Sequence, residues 1–268
     1  MRAEEGLAEA AIHGYSHWYI DGSLVGERPA DWTEARISAM CKSIEDAGIK
    51  PIYHGNFKAP LGSDVPEMAL AAVNYVKREI DLCAQLGGIP LIVHGGGIVE
   101  PRLVKEARSI GLENLIRNLN ELVAYGRERN VDIWLENLCN YNKFHPFYYI
   151  YTTEDEYAKV LEQVPGIYFF LDVSHAHVND GAPIQVFERF HHRIAGMSFS
   201  DNAGDRDSHM PLGRGNLDYP QLLQAIRKVS WQGIIGFETR GSTLSHSAQY
   251  LKTMDDAQAQ NSETLQAA

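Results

Sequence analysis

Seven times along this chain a short apolar run of five to eight residues breaks off, and a longer stretch with helical periodicity follows. The runs are HWYID (17–21), KPIYHG (50–55), PLIVHG (90–95), VDIWLEN (131–137), IYFFLD (167–172), IAGMSFSD (194–201) and GIIGFET (233–239). Helical patterns fit residues 33–47, 64–86, 111–129, 153–163, 183–192, 218–229 and 245–256. Thr33 opens the first of these, Gly48 stops it, and Asp64 reads as the N-cap of the second, with Pro66 and Glu67 in its first turn. Strands that alternate with helices build βαβ units and hence a parallel sheet.

Such a sheet either stays open or closes. No glycine-rich phosphate loop follows the first run, and HGGG at 94–97 comes after the third with the wrong spacing for one. Seven units in 268 residues, 44% of them hydrophobic, fit an α/β chain folded as a (β/α)8 TIM barrel. A single domain is expected over residues 1–257, with a polar, frayed tail over 258–268. One strand is unaccounted for. The chain opens in a helical segment, AEEGLAEAAIHG, so the first barrel strand is missing, atypical, or supplied by a neighbour.

Composition limits the partners. The net charge is −11 with no long basic run, which disfavours nucleic acid. The three cysteines, Cys41, Cys83 and Cys139, form no CxxC pair and read as small apolar residues in a reducing compartment. The N-terminus lacks an apolar signal core, and no run of about 18 uncharged apolar residues exists to span a membrane. A cytoplasmic protein is expected.

The ends of the apolar runs carry the chemistry. In a barrel, functional groups sit at the C-terminal ends of the strands. Here those ends offer His54, His94, Glu136, Asp172 with His175, Ser198 with Asp201, and Glu238, and the loop DRDSHMPLGRGNLD adds Asp207 and His209. Each alone reads equally as a capping or hydrogen-bonded structural residue. Together they form a ring, and converging carboxylates repel unless a cation or protons neutralise them. Mixed His, Asp and Glu donors suit a divalent ion: Zn, Mn, Co, Fe or Mg. Tyr15, Trp18, Phe57, Trp134, Tyr141 and Phe144 are either pocket walls or core. The aromatic stretch Tyr141–Tyr151 either caps the pocket or forms an oligomer contact. His191 and His192 read as surface residues at a helix end.

The ordered set YHGNF, LIVHGGG, WLENL, LDVSHAH, SFSDN, DSHMPLGRGNLD and GFET resembles the xylose isomerase-like TIM-barrel superfamily, which holds sugar isomerases and epimerases, inosose dehydratases and endonuclease IV. The resemblance spans about residues 8–255. It implies one cation held by Glu136, Asp172 and Glu238 and by a histidine where this chain has Ser198, so water or His209 would take that place. The endonuclease IV pattern adds His54, His94, His175, Asp207 and His209 as further implied ligands. His94, His175, Arg240, Ser198 and Trp134 are candidates for contacts to substrate, Arg240 equally for a surface salt bridge. The resemblance implies a metal-dependent sugar or polyol isomerase or epimerase, with Glu136 and Glu238 as acid and base around a metal-stabilised enediolate. A lyase or dehydratase, an endonuclease IV-like hydrolase and a non-catalytic degenerate barrel are the alternatives. A small sugar or polyol is the expected partner, and homo-oligomers are common in the superfamily.

Overall fold

A strand covered on both faces must be apolar along its whole length, which is why the seven runs are continuous rather than alternating. The third run, β3 (Leu91–His94), and the fourth, β5 (Ile133–Glu136), bury every residue. The computed structural model describes residues 1–140, 144–240 and 244–266. It places β1 (His17–Asp21), β2 (Lys50–His54), β3, β5, β7 (Tyr168–Asp172), β8 (Ile194–Phe199) and β9 (Ile234–Phe237) in one parallel sheet, in chain order. This is a nearly closed TIM barrel one strand short of eight. Its two ends, β1 and β9, are joined by no hydrogen-bonded ladder among the described residues. No helix among those residues is long and apolar enough to cross a membrane.

Around the sheet lie α1 (Ala3–His13), α2 (Glu34–Ala47), α3 (Pro66–Gln85), α4 (Val104–Arg127), α5 (Glu154–Gln163), α6 (Val173–Asp180), α7 (Pro183–Phe190), α8 (Tyr219–Lys228) and α9 (Leu244–Gln266). The main core fills the space between strands and helices. Three boundaries and one short helix differ from expectation. Helix α4 starts before Gly111, where a glycine is needed because an added Cβ would meet the Gly62 carbonyl at 2.6 Å. The cap of α3 is Val65 rather than Asp64, with Ser63 Oγ accepting from the Val65 amide at 3.1 Å. The last helix, expected over 245–256, runs from Leu244 to Gln266. The short α6 was not expected at all; Asp172 caps it, accepting from the His175 amide at 2.6 Å.

Two strands of three residues, β4 (Gly97–Val99) and β6 (Phe147–Tyr149), form a separate antiparallel ribbon. It ties the aromatic stretch after β5 to the glycine run after β3. The glycines permit the approach: a Cβ on Gly95 would meet the Ile150 carbonyl at 2.7 Å, and one on Gly97 the Tyr148 carbonyl at 2.5 Å. HGGG is thus a docking strip for the neighbouring loop.

Strand parity builds the barrel interior. Ile52, Ile92, Trp134 and Phe170 form one buried cluster with Tyr19, Ala195 and Ile234 around it. Successive residues point to opposite faces, so the residue two positions on from each of four floor residues also points inward: His54, His94, Glu136 and Asp172. Ser198 lies in register between Asp172 and Gly236, one step before the Glu238 end of β9. At the unpaired seam Tyr19 reaches across, and a Cβ on Gly236 would lie 1.9 Å from its hydroxyl. Gly236→Ala is therefore expected to cost about 1–3 kcal/mol by overpacking. That cost should shrink markedly in a Tyr19→Ala background, read as coupling in a denaturant double-mutant cycle; strictly additive losses would show that this contact is not the constraint.

Candidate active site

The strand ends project their polar side chains into one mouth above the Trp134 floor. Glu136 sits at its centre, 1% exposed. His54 Nε2 and His94 Nε2 both lie 3.2 Å from Glu136 Oε2, and His175 Nδ1 lies 3.7 Å from Oε1. His54 Nε2 is also 3.8 Å from Glu238 Oε1. His175 Nε2 and His209 Nε2 face Asp207 Oδ2 at 3.6 and 2.8 Å. His209 Nδ1 bonds the Glu238 carbonyl at 2.8 Å, which closes the circle. His175 Nδ1 also lies 3.8 Å from Asp172 Oδ1, so all eight expected ligands belong to one contiguous ring.

The supports are backbone devices. Asn137 donates to the Asp172 carbonyl at 2.9 Å and accepts from the Asp172 amide at 2.7 Å, clamping β5 to β7. Asp201, expected at the mouth, is instead buried under the following loop. It accepts from the amides of Gly213 and Leu217 at 2.9 and 3.2 Å and so fixes the segment carrying Asp207 and His209. The Asn137 carbonyl bonds His175 Nδ1 at 2.8 Å.

Other expected residues fall elsewhere. Trp134 is the floor, stacked on Phe170 with centroids 6.1 Å apart. Trp18 and Tyr15 pack outside the barrel in the main core. Phe57 is half-exposed at the rim, edge-on to His94 at 6.4 Å. Phe144 packs edge-on to Tyr149, and Tyr141 lies outside the described residues. Arg240 is exposed, with its backbone amide bonded to the His209 carbonyl at 2.7 Å. Cys139, read from sequence as a small apolar residue, lies beside His175 and Asp207. Its distance from them along the chain gave no metal-site spacing to read.

The residues fit a divalent cation. Asp172 Oδ2, Glu238 Oε1, Ser198 Oγ and Asp207 Oδ1 are buried without a hydrogen-bond partner. Each such atom costs roughly 1–3 kcal/mol if left unsatisfied. Ligand atoms of His54, His94 and Glu136 lie within 4.8 Å of one another, as do those of Glu136, Asp172 and His175.

Without a cation, protons do the neutralising. Burial disfavours the His54 cation, yet Glu136 and Glu238 raise its pKa to about 9. Burial likewise opposes a charged His209, and Asp207 raises it to about 9. Burial would raise Glu136, but His94 and His54 hold it well below the usual carboxylate range. Burial, with repulsion from Glu136 and Glu238, pushes Asp172 up to about 7 against the pull of His175. Burial and the Glu136 charge raise Glu238.

The fold is thus a parallel barrel whose mouth is lined by histidine and carboxylate side chains. The chain belongs to the xylose isomerase-like TIM-barrel family, which it matches over residues 7–261. It is 26% identical over 169 residues to the uncharacterized protein y4fM of Sinorhizobium fredii, covering 63% of this chain and 53% of that one. The chain spans about half the length of the curated relatives it matches. By fold it is similar to a D-tagatose 3-epimerase-like protein, with TM-score 0.82 and 18% identity over 98% of this chain and 96% of that one. It is also similar to an L-ribulose 3-epimerase, with TM-score 0.77 and 17% identity over 98% and 91% of the two chains.

Imidazoles bind cations only when deprotonated. Because His54 and His209 hold protons below about pH 9, cation uptake at pH 7 must expel them, and affinity should rise with pH toward 9. Calorimetric zinc titrations in two buffers of different protonation enthalpy should give different heats; buffer-independent heats would contradict this.

Proposed function

We propose that this barrel is a divalent-metal-dependent sugar or polyol isomerase or epimerase that moves a proton at a carbon next to a carbonyl. The observation that carries the reading is a pair of carboxyl groups that meet the same imidazole from different strands. Glu136 on β5 is held ionised, Glu238 just past β9 is raised, and His54 lies between them at 3.2 and 3.8 Å. Two carboxyls whose environments push them apart suit a base and an acid.

Glu136, Asp172 and Glu238 would hold the cation, with His54, His94 or His175 completing the set. When bound, a divalent ion supplies positive charge to the substrate oxygens and so favours an enediolate. Glu136 removes the proton from one face of the carbon. Glu238, three strands further round the sheet, returns one on the other face. Neutral His94, its pKa lowered by burial, offers a donor or acceptor to a substrate hydroxyl. Ser198 Oγ and the rim residues Phe57 and Arg240 would meet the rest of a small polyol. The printed names of the structural neighbours, a D-tagatose 3-epimerase-like protein and an L-ribulose 3-epimerase, support this substrate class. The net charge of −11 favours an uncharged substrate over a phosphate backbone.

The test is solvent exchange. Metal-loaded protein in deuterated water, offered a panel of ketoses and inososes, is expected to incorporate deuterium at one carbon, read by NMR. Glu136→Gln and Glu238→Gln should each lower that rate by roughly 10²–10⁴-fold with unchanged circular dichroism. Full exchange in either variant, or none in the wild type with any of these substrates, would overturn the reading.

A further inference from the structure

We propose that Glu79 on α3 is a positioning residue: by holding the Asn56 amide it fixes the turn after β2, and so sets the His54 ring between Glu136 and Glu238. This role presumes the proposed function, in which those two carboxyls move the proton, and it is played from behind the mouth.

A carboxyl is a costly side chain for this place. Glu79 is 1% exposed on the inner side of α3, where Val76, Ile80 and Cys83 belong to the apolar core. Burying a carboxyl among such residues costs free energy unless polar groups meet it. Its Oε1 accepts from the Asn56 amide at 2.9 Å, and its Oε2 is buried with no partner. Apolar packing alone would not call for it.

The turn after His54 is shaped to reach that carboxyl. Gly55 leaves no side chain in the way: a Cβ there would lie 2.6 Å from the Ile92 carbonyl and 3.0 Å from Glu79 Oε2. The Gly55 amide donates to the Ile92 carbonyl at 2.9 Å. The chain is therefore pinned to β3 at residue 55 and to α3 at residue 56. Asn56 Nδ2 also donates to the Tyr75 hydroxyl at 3.4 Å. Tyr75 and Glu79 are four residues apart and share one helix face, so α3 grips Asn56 at two points. Gly55, Asn56 and Glu79 line one small gap together with His94.

Burial pushes Glu79 up to about 8, against the pull of the Asn56 amide and of the His54 charge. At neutral pH it is mostly the uncharged acid, which accepts the amide without adding a charge behind the mouth. Glutamine copies that shape and keeps the acceptor; leucine fills the space and lacks it. His54 Nε2 stands 3.2 Å from Glu136 and 3.8 Å from Glu238. A displacement of about 1 Å would break one of these contacts, and misplacement on that scale costs up to roughly 100-fold in rate.

Two readouts on the full chain separate this from the proposed function. In metal-free protein, ring-nitrogen NMR reads His54, assigned by its loss in His54→Gln. Glu79→Leu is expected to shift the His54 signals, and Glu79→Gln to leave them at the wild-type position. In metal-loaded protein, Glu79→Leu should lower kcat for deuterium exchange by roughly 10–100-fold with KM within about twofold, and Glu79→Gln should restore most of it. Unmoved His54 signals in Glu79→Leu, or a Glu79→Gln variant that falls as far as Glu79→Leu, overturn the proposal. If the wild type exchanges no substrate, the proposed function falls and the His54 signals alone decide this role. If Glu79→Leu does not fold, hydrogen exchange at the Asn56 amide of the wild type decides. Protection like that of the β2 amides supports the tether, and exchange at the rate of an open loop overturns it.

Discussion

Three carboxylates, those of Glu136, Asp172 and Glu238, are forced into one enclosed space, and most of the mouth is arranged to bear that crowding. Like charges close together in a poorly solvated site cannot all stay ionised alone. The chain answers with four imidazoles, from His54, His94, His175 and His209, whose contacts of 2.8 to 3.8 Å with these carboxylates and Asp207 are closed into a circuit by the bond from His209 to the Glu238 backbone carbonyl. The result is a mouth that protons or cations can neutralise in exchange. The unpartnered oxygens on Asp172, Glu238 and Asp207 mark where imidazole alone falls short.

That arrangement depends on rigid supports, since a carboxylate free to turn outward would simply meet water. Asp172 shows how little freedom remains: its Oδ1 caps α6, its amide and carbonyl are held by Asn137, and only Oδ2 is left for the site. The glycines of HGGG serve the same end by letting β6 dock on the loop beyond His94. Asp201 holds the long loop whose far side delivers Asp207 and His209. Each device uses backbone hydrogen bonds, which are directional and do not add charge to the mouth.

Much of this was legible in the sequence because strand burial and strand parity both leave a mark there. A doubly buried strand reads as an apolar run, and a polar residue at its end is conspicuous; His54, His94, Glu136, Asp172 and Glu238 were all found that way. What stayed hidden had no periodicity to carry it. The three-residue strands β4 and β6 are too short to show alternation. Gly111 imitated a helix start because its cause, the Gly62 carbonyl, is remote in the chain. Trp18 and Trp134 look alike as sequence, yet one packs outside the barrel and the other forms its floor. Cys139 gave no sign, since its partners His175 and Asp207 are brought to it only by the fold.

Ser198 is the residue where the family resemblance and this chain part, and its surroundings account for a small side chain there. Its hydroxyl is fully buried and unpartnered, in register with Asp172 on one side and Gly236 on the other. Gly236 has no side chain, and the Tyr19 ring from across the seam takes the space above it. The Tyr19 hydroxyl is also without a partner, and the nearby carboxylates, on top of burial, keep it protonated. Two small residues and one large one thus stand together on the side of the barrel where a strand is lacking. A histidine on β8 would compete with that phenol for room. The serine therefore fits the local packing, and His54, His94, His175 and His209 line the remaining sides of the ring.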